Sequence, residues 1–124
     1  MNKNDLHQKI LSNYTNELII NELEPYLTDR RKQRIAEVLS KRIRSIHLAI
    51  ESPCDLNNAL AALRTAEALG VANVHIISPE GKAGSARRVT RGSYYWLDIH
   101  HHPSTTEFLK YIDNNGISLA GGAV

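Results

Sequence analysis

The chain has 124 residues and a mass of 13.9 kDa; 42% of it is hydrophobic, 23% is charged, and the formal net charge is +2. That is enough for one domain with a real core and is ordinary for a soluble globular protein. No apolar run approaches the roughly 18–20 residues of a membrane span, and the polar start Met1-Asn2-Lys3-Asn4-Asp5 is no signal peptide, so no membrane partner is expected. The single cysteine, Cys54, allows no internal disulfide, which fits a cytoplasmic protein.

The modest total hides an asymmetry. Residues 29–44 hold seven basic side chains against Asp29 and Glu37, a local balance of +5. Residues 81–92 add Lys82, Arg87, Arg88 and Arg91 with no acid, and the rest of the chain sums to −7. Two basic patches on an otherwise acidic chain favour a polyanionic partner, most simply nucleic acid; solvated surface charge is the plainer alternative.

In chain order, Leu6, Ile10, Leu11, Tyr14, Leu18 and Ile19 recur at helical intervals and predict one helix over residues 5–23, ended by Glu24-Pro25. Thr28 is the expected N-cap of a second helix running to about Arg44, with Ile35, Val38, Leu39 and Ile43 inward and most of its arginines outward. Residues 46–50 form a short apolar strand, and residues 51–57 the loop at its carboxyl end, where open α/β sheets bind ligands. Cys54 in that loop has no evident base, so a nucleophilic role is not expected.

Residues 57–70 predict a helix with Asn57 and Asn58 at its mouth and Gly70 as its stop. Only Arg64, Thr65 and Glu67 are polar between Ala59 and Leu69, the signature of a buried helix. Arg64 lies about 40° round the wheel from Leu60 and so needs a partner. Either it pairs with Glu67 at i,i+3, or it is aimed at a substrate. Residues 74–77 complete a βαβ unit with parallel strands and a right-handed crossover. The loop 81–85 is glycine-containing but lacks the ending of a P-loop.

His100-His101-His102 invites a metal reading, but neighbours on a strand point to opposite faces; a strand edge running into Pro103 is expected instead, and no metal site. Ser104 or Thr105 caps a helix with Phe108, Leu109 and Ile112 inward and Asn115-Gly116 as its stop, followed by a fourth strand over residues 117–120. Trp96 reads as core, while Tyr94 and Tyr95 beside Arg91 are the better base-stacking candidates.

Asn58, Arg64 six residues on, Thr65-Ala66 and Gly70-Val71 together resemble the first motif of the SpoU/TrmH family of RNA ribose 2′-O-methyltransferases, approximately N-x-x-A-x-x-R-T-x-x-A-x-G. Arg91-Gly92-Ser93-Tyr94-Tyr95-Trp96-Leu97-Asp98-Ile99 is similar to the family's R-G-(A/S)-x-x-W-L-x-(I/V) segment. Leu56-Asn57 replaces the proline-histidine pair common there. The resemblance implies an α/β fold with a parallel sheet and flanking helices, the start of a SPOUT-type trefoil-knot domain over residues 45–124, after a basic helical extension, 1–44. It implies catalytic roles for Arg64 and Asn58, RNA contacts from Arg31, Arg34, Arg42 and Arg91, and tRNA or rRNA as substrate. S-adenosylmethionine as methyl donor and a homodimer follow from it too. The family's later motifs, with a glutamate and a serine-leucine-asparagine core in the knot that holds the donor, have no counterpart among these 124 residues. The expectation is therefore a form lacking the cofactor-binding portion and inactive by itself. A non-catalytic RNA-binding module and a dimerising α/β scaffold are the alternatives.

Overall fold

The computed structural model describes residues 3–52, 55–79 and 96–121. The expectations for Cys54, for the loop 81–85 and for Arg91, Tyr94 and Tyr95 lie outside the described residues. Contacts divide the chain into two units, Met1–Ser40 and Lys41–Val124.

The first unit is helical. Where apolar spacing predicts one helix, the structure has two: α1, Lys3–Asn13, and α2, Asn16–Leu23. Thr15 makes the break. Its backbone is extended, and its hydroxyl accepts the Leu18 amide hydrogen at 3.3 Å, so local capping displaces helix continuation. Pro25 sits in a 3₁₀ turn, Glu24–Tyr26, and α3 follows over Asp29–Ser40. Thr28 opens α3 as expected, its hydroxyl accepting from the Arg31 amide at 3.3 Å. No residue of α2, the turn or α3 is buried. Leu39, expected inside, is 46% exposed.

The second unit is α/β: β1 (Ile43–Glu51), α4 (Leu56–Ala68), β2 (Val71–Ile77), β3 (Asp98–His102) and α5 (Thr105–Asn114). The strands form one parallel sheet in the order β1-β2-β3. Ile43, assigned in sequence to the preceding helix, already pairs with Val71, so β1 begins earlier than predicted. Gly70 closes α4 at φ +85°, and its carbonyl accepts the Ile43 amide at 2.7 Å. A Cβ there would sit 3.1 Å from the Lys41 carbonyl, which leaves glycine as the residue that fits.

Strand alternation sends β2 to both faces of the sheet. Val74 and Ile76 join Ala59, Leu63 and Ala66 of α4, with Leu48, Ile50 and Ile99 packed alongside. Ile77 joins Phe108 and Ile112 of α5 on the opposite face. Leu109, expected inside, is 43% exposed. With α4 and α5 on opposite faces, a right-handed connection leaving β3 through α5 returns toward β1. Residues 117–121 do line the same cleft as Ser45 to Ala49 of β1. They do not form the predicted fourth strand. The Ile117 amide is drawn to the Ile112 carbonyl at 2.8 Å, after Gly116 at φ +64°, so this segment begins as a helix closure and not as a ladder partner of β1.

Candidate functional site

The carboxyl edge of the sheet is the row Glu51, Ile77 and His102. Beyond it, Ser52 turns at φ +43°, a left-handed conformation that a non-glycine residue seldom holds. Its amide donates to the Ile77 carbonyl at 2.8 Å, and the Ser78 amide donates to the His102 carbonyl at 3.0 Å. The Thr105 hydroxyl donates to the Glu51 carboxylate, tying α5 to the end of β1.

α4 starts from this edge. Its N-cap is Asp55, whose carboxylate accepts from the Asn57 amide at 2.8 Å. That corrects the expectation of an asparagine cap: Asn57 and Asn58 belong to the first turn, and both are exposed. A carboxylate at the N-terminus satisfies an orphan amide and complements the helix dipole. Ala59, Leu63 and Ala66 face the sheet, while Ala61, Arg64, Thr65 and Ala68 face solvent.

Arg64 is thus exposed, not half-buried as the wheel position implied; α4 is buried along one stripe only. Neither an Arg64–Glu67 ion pair nor any other partner of Arg64 occurs among the described residues. Asn58 and Arg64 are not brought into contact. Six residues of helix separate them by about 9 Å along the axis and roughly 120° around it.

Arg42 has a position that sequence reasoning did not foresee. Its Nη1 donates to the Glu67 carbonyl at 2.8 Å and, more weakly, to the Val71 carbonyl at 3.5 Å. The guanidinium therefore caps the carboxyl end of α4, where cations are favoured, and fixes the helix that carries Arg64. Of the other sequence-predicted arginines, Arg31 is exposed on α3, and Arg34 is exposed with a loose contact to Glu37 at 3.6 Å. Trp96 is half-buried beside the buried Leu97.

The sequence model of the SpoU rRNA Methylase family matches residues 45–123, from β1 through the segment after α5. The chain belongs to the SpoU family. Among curated relatives, the tRNA (guanosine(18)-2′-O)-methyltransferase of Borreliella burgdorferi is 30% identical over 97 residues, 78% of this chain and 44% of that protein. The enzyme of the same name from Thermus thermophilus is 29% identical over 97 residues, covering 78% and 50%. That of Escherichia coli is 26% identical over 89 residues, covering 72% and 39%. The chain spans about half the length of the curated relatives it matches.

The SpoU family implies S-adenosylmethionine as methyl donor. A cleft of ≈720 Å³ lies beside β1 and is walled mainly by Ile46, Leu48, Phe108, Ile112, Ile117 and Leu119, with Glu51 and Thr105 at its polar side. The one carboxylate on this wall, Glu51, accepts from the Thr105 hydroxyl and keeps further lone pairs for a ligand.

Proposed function

We propose that these residues form the RNA-facing part of an S-adenosylmethionine-dependent RNA ribose 2′-O-methyltransferase that acts on tRNA. The observation that carries the reading is the family match over residues 45–123, within which both motif residues, Asn58 and Arg64, stand exposed on α4. The relatives quoted are all named for tRNA guanosine methylation, which favours tRNA over other RNAs.

In this reading Arg64 takes the ribose and its phosphate. A guanidinium holds its proton far above neutral pH, so its contribution is to orient the sugar and stabilise the developing 2′-alkoxide, not to act as the base. Asn58 supplies a neutral hydrogen bond from the first turn of the same rigid helix. Arg31, Arg34 and Arg91 contact phosphates, as does whatever part of the Arg42 guanidinium its helix-capping bonds leave free. The methyl group is supplied by S-adenosylmethionine. Among the described residues no strand pairs with the outer edge of β1, where Ile43 is 38% and Ile46 56% exposed, which supports a homodimer as the working form of this cytoplasmic enzyme.

The test is tRNA binding by the 124-residue chain across a salt series. Phosphate contacts release counterions, so affinity is expected to fall steeply with salt, and replacing Arg31 and Arg34 together by alanine should flatten the slope by roughly 1–2 in log–log terms. An unchanged slope would remove both residues from the interface. Affinity that is weak at every salt concentration would favour the dimerising scaffold. A non-catalytic RNA-binding module is the alternative reading. A chain extended by the family's remaining motifs that binds tRNA yet transfers no methyl group would select that reading.

A further inference from the structure

His47 on β1, His75 on β2 and His102 on β3 lie on one diagonal of the face toward α5, since His47 is level with Asn73 and His102 with Ile77. Their rings join in series. Nδ1 of His47 is 2.9 Å from Nε2 of His75, and Nδ1 of His75 is 2.9 Å from Nε2 of His102. Nε2 of His47 lies 3.1 Å from the Arg44 carbonyl. A carbonyl can only accept, so His47 carries its hydrogen on Nε2 and leaves Nδ1 bare. His75 must then donate from Nε2, and His102 in turn from Nε2. One backbone carbonyl thus sets the tautomer of all three rings.

The trio is built for hydrogen bonding and not for metal. The two ring contacts use opposite nitrogens of His75, so the lone pairs do not converge, and no group suited to a metal ion occurs among the described residues. His75 is fully buried, and its ring also stacks on His100 at 4.7 Å and packs against Phe108 and Tyr111 of α5. His100 is itself held, its Nε2 donating to the Asn73 side-chain oxygen at 3.2 Å.

Proton counting gives the consequence. Three neutral rings carry one hydrogen each, and each ring-to-ring bond has room for a single hydrogen between its two nitrogens. One added proton, entering at Nδ1 of His102, leaves both bonds intact. A second places hydrogens on both nitrogens of one contact and drives them apart. We propose that His47, His75 and His102 form an acid-sensitive latch across the three strands, which tolerates one proton and springs at the second, freeing the sheet from α5.

The surroundings resist charge here. Burial, and then the neighbouring imidazoles of His100, His102 and His47, lower the pKa of His75 to about 4. That of His102 is lowered as well, by burial, His100 and His101, with Glu107 of α5 acting the other way. Of the remaining charges on adjoining elements, Arg44 pairs with Asp98 at 3.4 Å, Lys110 with Glu107 at 2.9 Å, Glu51 binds Thr105, and Asp113 of α5 is exposed. The latch ends at His102, whose carbonyl holds Ser78, so its release reaches the loops at the carboxyl edge of the sheet. The latch rests on the fold alone and is independent of the RNA reading.

The experiment is nitrogen–proton correlation NMR of the histidine rings in the 124-residue chain, followed downward from about pH 8. The expected result is the Nε2–H tautomer for all three rings at the start. Backbone signals of β1 and β3 should then move together in a step that binds more than one proton. An Nδ1–H tautomer in any of the three at the start, or three independent one-proton titrations at ordinary histidine values, would overturn the latch. His75→Phe keeps a ring in the cavity and removes both bonds. Its unfolding midpoint is expected to vary less with pH than that of the parent chain, and an equal pH dependence would also overturn the proposal.

Discussion

The two faces of the sheet are built from different chemistry. Against α4, the buried residues Ala59, Leu63, Ala66, Val71, Val74, Ile76 and Leu97 are all aliphatic. Against α5, Ile77, Phe108 and Ile112 share the face with His75 and His102, which are buried and polar. Dispersion and the hydrophobic effect hold the first face and do not depend on pH. The second relies on ring-to-ring hydrogen bonds whose hydrogens are exchangeable. One sheet therefore has a face that is indifferent to acid and a face that is not.

The largest expected effect is on the indifferent face. Leu63 is fully buried, and Leu63→Ala should cost roughly 2–5 kcal/mol through lost transfer energy and the cavity left behind. Urea unfolding should show the same loss at every pH at which the parent chain folds. A cost that shrinks toward zero in acid would mean that the two faces are not separable.

The acid-sensitive face gives the next effect. His75 has a pKa of about 4 when folded, against the ordinary histidine value of 6.5 once the chain unfolds, so between these values the unfolded chain binds the proton and the folded chain does not. Its contribution is complete above pH 6.5 and is lost as pH falls toward 4, on the order of 3 kcal/mol in all. Urea midpoints in a pH series check this, and stability that rises on acidification over that window would contradict the sign.

The same contrast explains what the sequence made legible. The α4 face could be read because its cues are local: apolar residues at helical spacing and a closing glycine, although the cap proved to be Asp55 and not the asparagine pair after it. The motif residues Asn58 and Arg64 came with that helix. The histidine latch could not be read locally, because its members come from three strands, and His100-His101-His102 read alone displays only alternation. A usable signal existed in His47 and His75, which like His100 and His102 occupy one face of their strand, but only the register makes them neighbours. The break at Thr15 and the early start of β1 were missed for another reason. Apolar spacing continued across both boundaries, while capping and pairing with Val71 decided the outcome.

The smallest expected stability effect is the most informative about function. Arg64 stands on the solvent side of α4, turned away from the aliphatic core, and makes no ion pair among the described residues. Arg64→Ala should change stability by no more than about 0.5 kcal/mol, since alanine is the better helix former and no contact is lost. On the proposed function the same change should weaken tRNA binding and lower the salt slope by about 1, because one cation leaves the phosphate surface. Arg42→Ala should do the reverse in part. It removes the cap on the α4 carboxyl end, so stability falls by about 1–2 kcal/mol, and RNA affinity falls both with any shift of α4 and with the loss of the phosphate contact left to the guanidinium. If Arg64→Ala destabilised the fold as much as Arg42→Ala does, its exposure would be misleading and the arginine would be structural. Unchanged stability with weakened tRNA binding would instead identify an arginine kept on a rigid helix for a ligand outside the fold.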